Sequence, residues 1–122
     1  MGTKNKIQEE LNERQEKYID LISMATEGCE HKPALKIGKD SETSETIAGC
    51  EIESGDEDII IAIRTKDIEV GVSSDDESRE GYYGISPEYE HLFIGDLINA
   101  IWTNDYEQLF ERMFATQQKE AA

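Results

Sequence analysis

Cys29-Glu30-His31 puts a thiol, a carboxylate and an imidazole on consecutive residues, and Asp56-Glu57-Asp58 and Asp75-Asp76-Glu77 gather carboxylates further along. These are the residue types of metal and acid–base chemistry, but none has the spacing that chemistry needs. A zinc site takes several His, Cys or carboxylate ligands at fixed intervals. Cys29 and His31 lack a second ligand pair, and Cys50 and His91 stand alone. A calcium-binding EF-hand loop alternates its acids, places Gly at the sixth position and closes on Glu between two helices. Asp56-Glu57-Asp58 instead runs straight into an apolar stretch, and Asp75-Asp76-Glu77 has adjacent acids with no Gly at the required place. There is no Gly-x-Ser-x-Gly, and the nine glycines are too dispersed for a phosphate-binding loop. With 28 acids in the chain, neighbouring carboxylates are no sign of acid–base catalysis. We therefore expect no catalytic residue, no metal site, no cofactor and no enzymatic activity.

What remains is the charge itself. The formal net charge is −16, and it is uneven. Residues 1–39 carry seven acids and seven bases; residues 40–80 carry fourteen acids against Arg64, Lys66 and Arg79; residues 81–122 carry seven acids against Arg112 and Lys119. Charge blocks speak to partners and solubility rather than to fold. Direct binding to nucleic acid is disfavoured, because affinity for a phosphate backbone comes from Lys and Arg.

At 122 residues the chain is expected to be one domain with its own core. No run approaches the roughly 20 apolar residues of a membrane span. The first residues lead into Gln8-Glu9-Glu10 rather than an apolar stretch, unlike a secretory signal, and Lys6 stands where a myristoylation motif has Ser or Thr. Two cysteines in such a chain are expected to be reduced thiols. The expected compartment is the cytoplasm, of a host if the gene is carried by a phage.

The elements that would position the acids follow from periodicity. Ile7, Leu11, Tyr18, Leu21, Ile22 and Ala25 recur at helical spacing and predict an amphipathic helix over 4–27, stopped by Gly28. Its stripe is thin at Arg14, so its first turns are expected to project or to pair with another chain. Leu35 and Ile37 alternate as in a short strand. Over 46–85 the pattern is that of an acidic antiparallel meander of three to four strands. Ala48, Cys50 and Ile52 alternate with polar or small residues, and Ser54-Gly55-Asp56 is a turn. Ile59–Ile63 reads as a strand covered on both faces. Thr65-Lys66-Asp67 is a hairpin connection, Ile68, Val70 and Val72 alternate again, and Tyr82, Tyr83 and Ile85 form an edge strand. Residues 86–117 predict a helical pair: Ser86-Pro87-Glu88 starts the first helix, Gly95 allows close packing on the sheet, and Asn104 caps the second. The expected fold is α+β, with a long N-terminal helix and the C-terminal pair packed on one sheet face.

On that fold Glu51, Glu53 and Glu69 project from the strand faces opposite the apolar side, and Asp56, Glu57, Asp58, Asp75, Asp76 and Glu77 lie at strand ends. Alternate side chains on a strand are roughly 6.5–7 Å apart, comparable within a small factor to phosphates along a nucleic-acid strand. A rigid array of carboxylates can therefore occupy a groove built for a phosphate backbone, steered there by the partner's Lys and Arg. Tyr82 and Tyr83 flank the array and add the contact area that interfaces favour.

The chain resembles small, strongly acidic α+β proteins of phages, among them anti-restriction DNA mimics and Cas9-inhibiting anti-CRISPR proteins. The resemblance lies in the order of Ile59–Arg64, Ile68–Ser73, the acidic loop Ser74–Glu80 and the helix leading to Trp102-Thr103-Asn104-Asp105-Tyr106-Glu107, and covers about residues 57–113. The long N-terminal helix is a departure from it, and no family residue transfers by position. It implies an inhibitor of a defence nuclease acting by nucleic-acid mimicry, whose partner is a basic protein surface rather than nucleic acid or membrane. The alternative expectation is an adaptor or homodimer formed through Ile7, Leu11, Tyr18 and Leu21.

Overall fold

A computed structural model describes residues 11–55, 57–75, 77 and 80–121. The order is α1 (Glu13–Ala25), β1 (Ala34–Lys39), β2 (Thr46–Ser54), β3 (Glu57–Ile63), β4 (Ile68–Ser73), β5 (Gly81–Ile85), α2 (Glu90–Thr103) and α3 (Glu107–Ala121). The α+β class and the C-terminal helical pair follow the expectation. The sheet has five strands, in the order β1-β2-β3-β4-β5, rather than three or four. Every neighbouring pair is antiparallel. The additional strand is β1, which pairs Leu35 with Cys50 and Ile37 with Ala48.

The register sorts the side chains. Ala48, Cys50 and Ile52 of β2, Ile59, Ile61 and Ile63 of β3, and Ile68, Val70 and Val72 of β4 are buried on one face. Against them lie Ile22 of α1, Phe93, Leu97 and Ile101 of α2, and Leu109, Phe110 and Met113 of α3, in one core. Among the described residues, no helix packs on the opposite face. Ile60, between two fully buried isoleucines, is 50% exposed. The reading of β3 as covered on both faces is thus corrected: an unbroken β-branched run fills one face and leaves the other to water.

Helix α1 starts later than its apolar period suggested. Asn12 caps it, accepting from the Gln15 N–H at 2.9 Å, while Gln15 Oε1 accepts from the Asn12 N–H at 2.9 Å. Gln15 is fully buried, and its Nε2 donates to the carbonyls of Thr46 (2.8 Å) and Ile63 (2.9 Å), which pins the helix start to the sheet. The part of the predicted helix over 4–10, with Ile7, lies outside the described residues. The helix stops at Thr26, whose hydroxyl and N–H both donate to Ile22 O, so Gly28 is not the terminator.

Three details of the C-terminal half also differ. Pro87–Tyr89 form a turn and α2 begins at Glu90, without a side-chain cap from Ser86. Gly95 faces outward, with open space where a Cβ would stand, so it serves no close packing on the sheet. Asn104 ends α2 in the left-handed conformation (φ 53°), and Asp105 instead accepts from the Glu107 N–H at 3.1 Å to start α3, which runs on to Ala121. No described helix is long and apolar enough to cross a membrane.

Candidate functional site: an open sheet face with an acidic end

The face that no described helix covers is a grid fixed by strand pairing. One row across it reads Ala34, Glu51, Ile60, Gly71, Tyr82; the next reads Lys36, Gly49, Ala62, Glu69, Gly84. Glu53 faces Asp58, and Asp58 faces Ser73, in the row on the other side. The floor is thus glycine and alanine, with Ile60 and Tyr82 standing on it and carboxylates around them. Antiparallel pairing brings the β2–β3 turn and the β4–β5 loop to the same sheet end. Gly55 makes that turn, in the left-handed region at φ 62°, where Gly pays no steric penalty.

The expected site residues divide accordingly. Glu51, Glu53, Asp58 and Glu69 share the open face. Asp75 and Glu77 are exposed in the loop at its acidic end. Glu57 belongs to the other phase of β3, half-buried, and accepts from the Ser74 hydroxyl at 3.1 Å. Asp56 and Asp76 lie outside the described residues. Tyr82 is on the open face, but Tyr83 points to the helices, its ring 5.1 Å from that of Phe114. The expectation that both tyrosines flank the acids is corrected for Tyr83, because adjacent strand residues point to opposite faces.

Glu51, half-buried, pairs with exposed Lys36 at 2.9 Å. No described Lys or Arg stands within ion-pair distance of Glu53, Asp58 or Glu69. Two hollows open onto this face on either side of Ile60. One is lined in part by His31, Lys32, Glu51 and Glu53, the other by Glu69, Gly71, Glu80 and Tyr82, and Asp58 and Ile60 line both. Among the described residues no group of three or more His, Cys, Asp or Glu is arranged to hold a metal ion. Both cysteines are buried free thiols, and burial pushes Cys50 up to about 12.

The opposite end of the sheet pairs its charges. Arg14 forks onto Glu90 at 2.9 and 2.5 Å and donates to Arg64 O at 2.8 Å, and Tyr18 donates to Glu90 at 3.2 Å. Arg64 forks onto Asp67 at 2.6 and 3.0 Å. Glu45 accepts from the Thr65 N–H at 2.8 Å and from its hydroxyl. Those bonds hold Glu45 below its ordinary 4.5, and the Arg64 fork holds Asp67 below its ordinary 3.8. A carboxylate lowered in the folded state stabilises it above the unfolded pKa, and that contribution disappears as pH falls through the folded value. The stability advantage of the native chain over Glu45→Gln is therefore expected to be level above about pH 5 and to shrink below 4.5, as thermal unfolding of both proteins across pH will show.

Sequence reasoning missed the Asn12–Gln15 capping box, although its spacing was visible, and missed the Arg14–Glu90 pair, which has no local signal. Comparisons with known protein families, curated proteins and solved structures find no match.

Proposed function

We propose that this protein is a non-enzymatic inhibitor that sets the acidic end of its open sheet face into the basic, nucleic-acid-binding groove of a defence nuclease. The observation that carries the reading is the common placement of Glu51, Glu53, Asp58 and Glu69 on a sheet face that none of the described helices covers, beside the exposed acids of the β4–β5 loop. Their spacing is set by backbone hydrogen bonds, so the charge array is rigid before binding and loses little entropy on docking. The likeness to anti-restriction and anti-CRISPR proteins supports the same reading, and β5 adds a strand between the acidic loop and the following helix. Under this proposal the protein works in the cytoplasm, on a protein partner, without a cofactor.

The adaptor alternative is less well served by the geometry. Of its four helix residues, Leu11 and Tyr18 are already buried in this chain's own core, Ile7 lies outside the described residues, and Leu21 is exposed.

Titration against nucleases with basic grooves, from about 50 mM to about 200 mM salt, tests the proposal. Affinity should fall steeply along that series. Binding that holds constant would remove the electrostatic mechanism.

A further inference from the structure

We propose that the hollow between Ile60 and Tyr82 seats an arginine side chain of the partner, an inference that rests on the basic-groove reading above and makes it specific. Strand pairing puts Tyr82 of β5 opposite Gly71 of β4. A Cβ on Gly71 would lie 3.1 Å from Tyr82 Cε1 and 3.3 Å from Cδ1, so the ring lies close to the glycine. The Cδ1–Cε1 edge of the ring approaches the glycine while the residue stays 81% exposed. The exposed π face attracts a cation by its quadrupole.

The surroundings select which cation. Glu69 is two residues along β4 from Gly71, a diagonal neighbour of Tyr82 at about 7–8 Å. Asp58 and Glu80 line the same open hollow, whose volume is about 390 Å³. Ile60 gives an apolar wall for an aliphatic stem. A guanidinium is planar, stacks on aromatic faces, forks onto carboxylates and gives up water more readily than an ammonium. Arginine uses the ring, the wall and the acids together; lysine gains mainly the charge. An apolar occupant would bury the carboxylates without partners.

Backbone amide NMR of the intact chain, titrated with blocked tetra-arginine and blocked tetra-lysine peptides, tests the seat. Arginine should bind about fivefold more tightly than lysine and shift the signals of Glu69, Gly71 and Gly84. Tyr82→Leu should abolish that preference while leaving lysine affinity within about twofold, because a surface ring is lost and no carboxylate is. Tyr82→Phe should keep the preference. Equal affinity for the two peptides in the native chain, or a preference that survives Tyr82→Leu, overturns the proposal. Nuclease binding that is salt-sensitive but indifferent to Tyr82→Leu removes the seat and leaves the groove reading. An arginine preference without salt-dependent nuclease binding keeps the seat and removes the groove reading.

Discussion

Glu53→Lys is expected to weaken binding to a basic groove on the order of tenfold or more at low salt while leaving the fold as stable as before or slightly more so. Glu53 and Asp58 are directly opposed across β2 and β3. Like charges in that position repel, and opposite charges attract by a few tenths of a kcal/mol up to about 1 kcal/mol. One substitution thus turns a repulsive cross-strand pair into an attractive one and removes a charge from the docking face. A purely structural role for Glu53 predicts a falling melting temperature; a docking role predicts falling affinity with melting unchanged or raised. Glu111→Lys is the matched control, because Glu111 is exposed on α3, an element of the helical layer. It makes the same change in net charge away from the open face. Calorimetric titration of both variants with the same nuclease decides the matter. An equal loss for both would mean that only total charge counts.

The second large effect is on stability. Glu90→Ala is expected to cost about 3 kcal/mol, by leaving Arg14 facing the sheet end without its carboxylate. The Glu90 side chain is 7% exposed and that of Arg14 25%, which sets this pair apart from a surface ion pair. Glu90 also accepts from the Tyr18 hydroxyl, and the Arg14 guanidinium lies 5.4 Å from the Tyr18 ring centre. The Tyr18 hydroxyl is pushed up chiefly by burial and then by Glu90. Removing the acid therefore strips a cation and a phenol of their partner at once. For a chain of this size the melting temperature should drop by about 10 °C. The double variant Arg14→Met with Glu90→Leu should recover the part of the loss that comes from the stranded cation, while the Tyr18 hydroxyl and the Arg64 carbonyl stay without these partners. Urea unfolding of the single and double variants gives the coupling directly. A single-variant cost below about 1 kcal/mol would mean that the pair behaves as a solvated one.

Neither residue of that pair announced itself. Arg14 read as a gap in an apolar stripe, and Glu90 carried no sequence signal of its own. They are 76 positions apart, and only the side-by-side packing of α1 and α2 brings them together. The mixed success over β3 has a similar origin. Ile59–Ile63 was legible as a strand because β-branched residues suit a pleated backbone. Whether both faces were covered was not legible, since Ile60 and Ile61 are identical in sequence and opposite in fate. The tyrosines repeat the lesson: Tyr82 and Tyr83 are neighbours, and the pleat sends one to solvent and the other to Phe114.

By itself the sequence determined the α+β class, the acidic strands over 46–85 and the C-terminal helices to within a few residues, and the concentration of acid between positions 40 and 80, but it set the start of the N-terminal helix nine residues too early, at 4 rather than 13. Those properties are local: hydrophobic period, turn chemistry and composition are written in consecutive residues. The tertiary structure decided which face of the sheet stays open, that Glu53 and Asp58 oppose each other there, and that Tyr82 lies across Gly71 beside Glu69. Those depend on register and on the side to which every described helix returns. A shift of one residue in pairing would have exchanged the two faces and buried the acids instead.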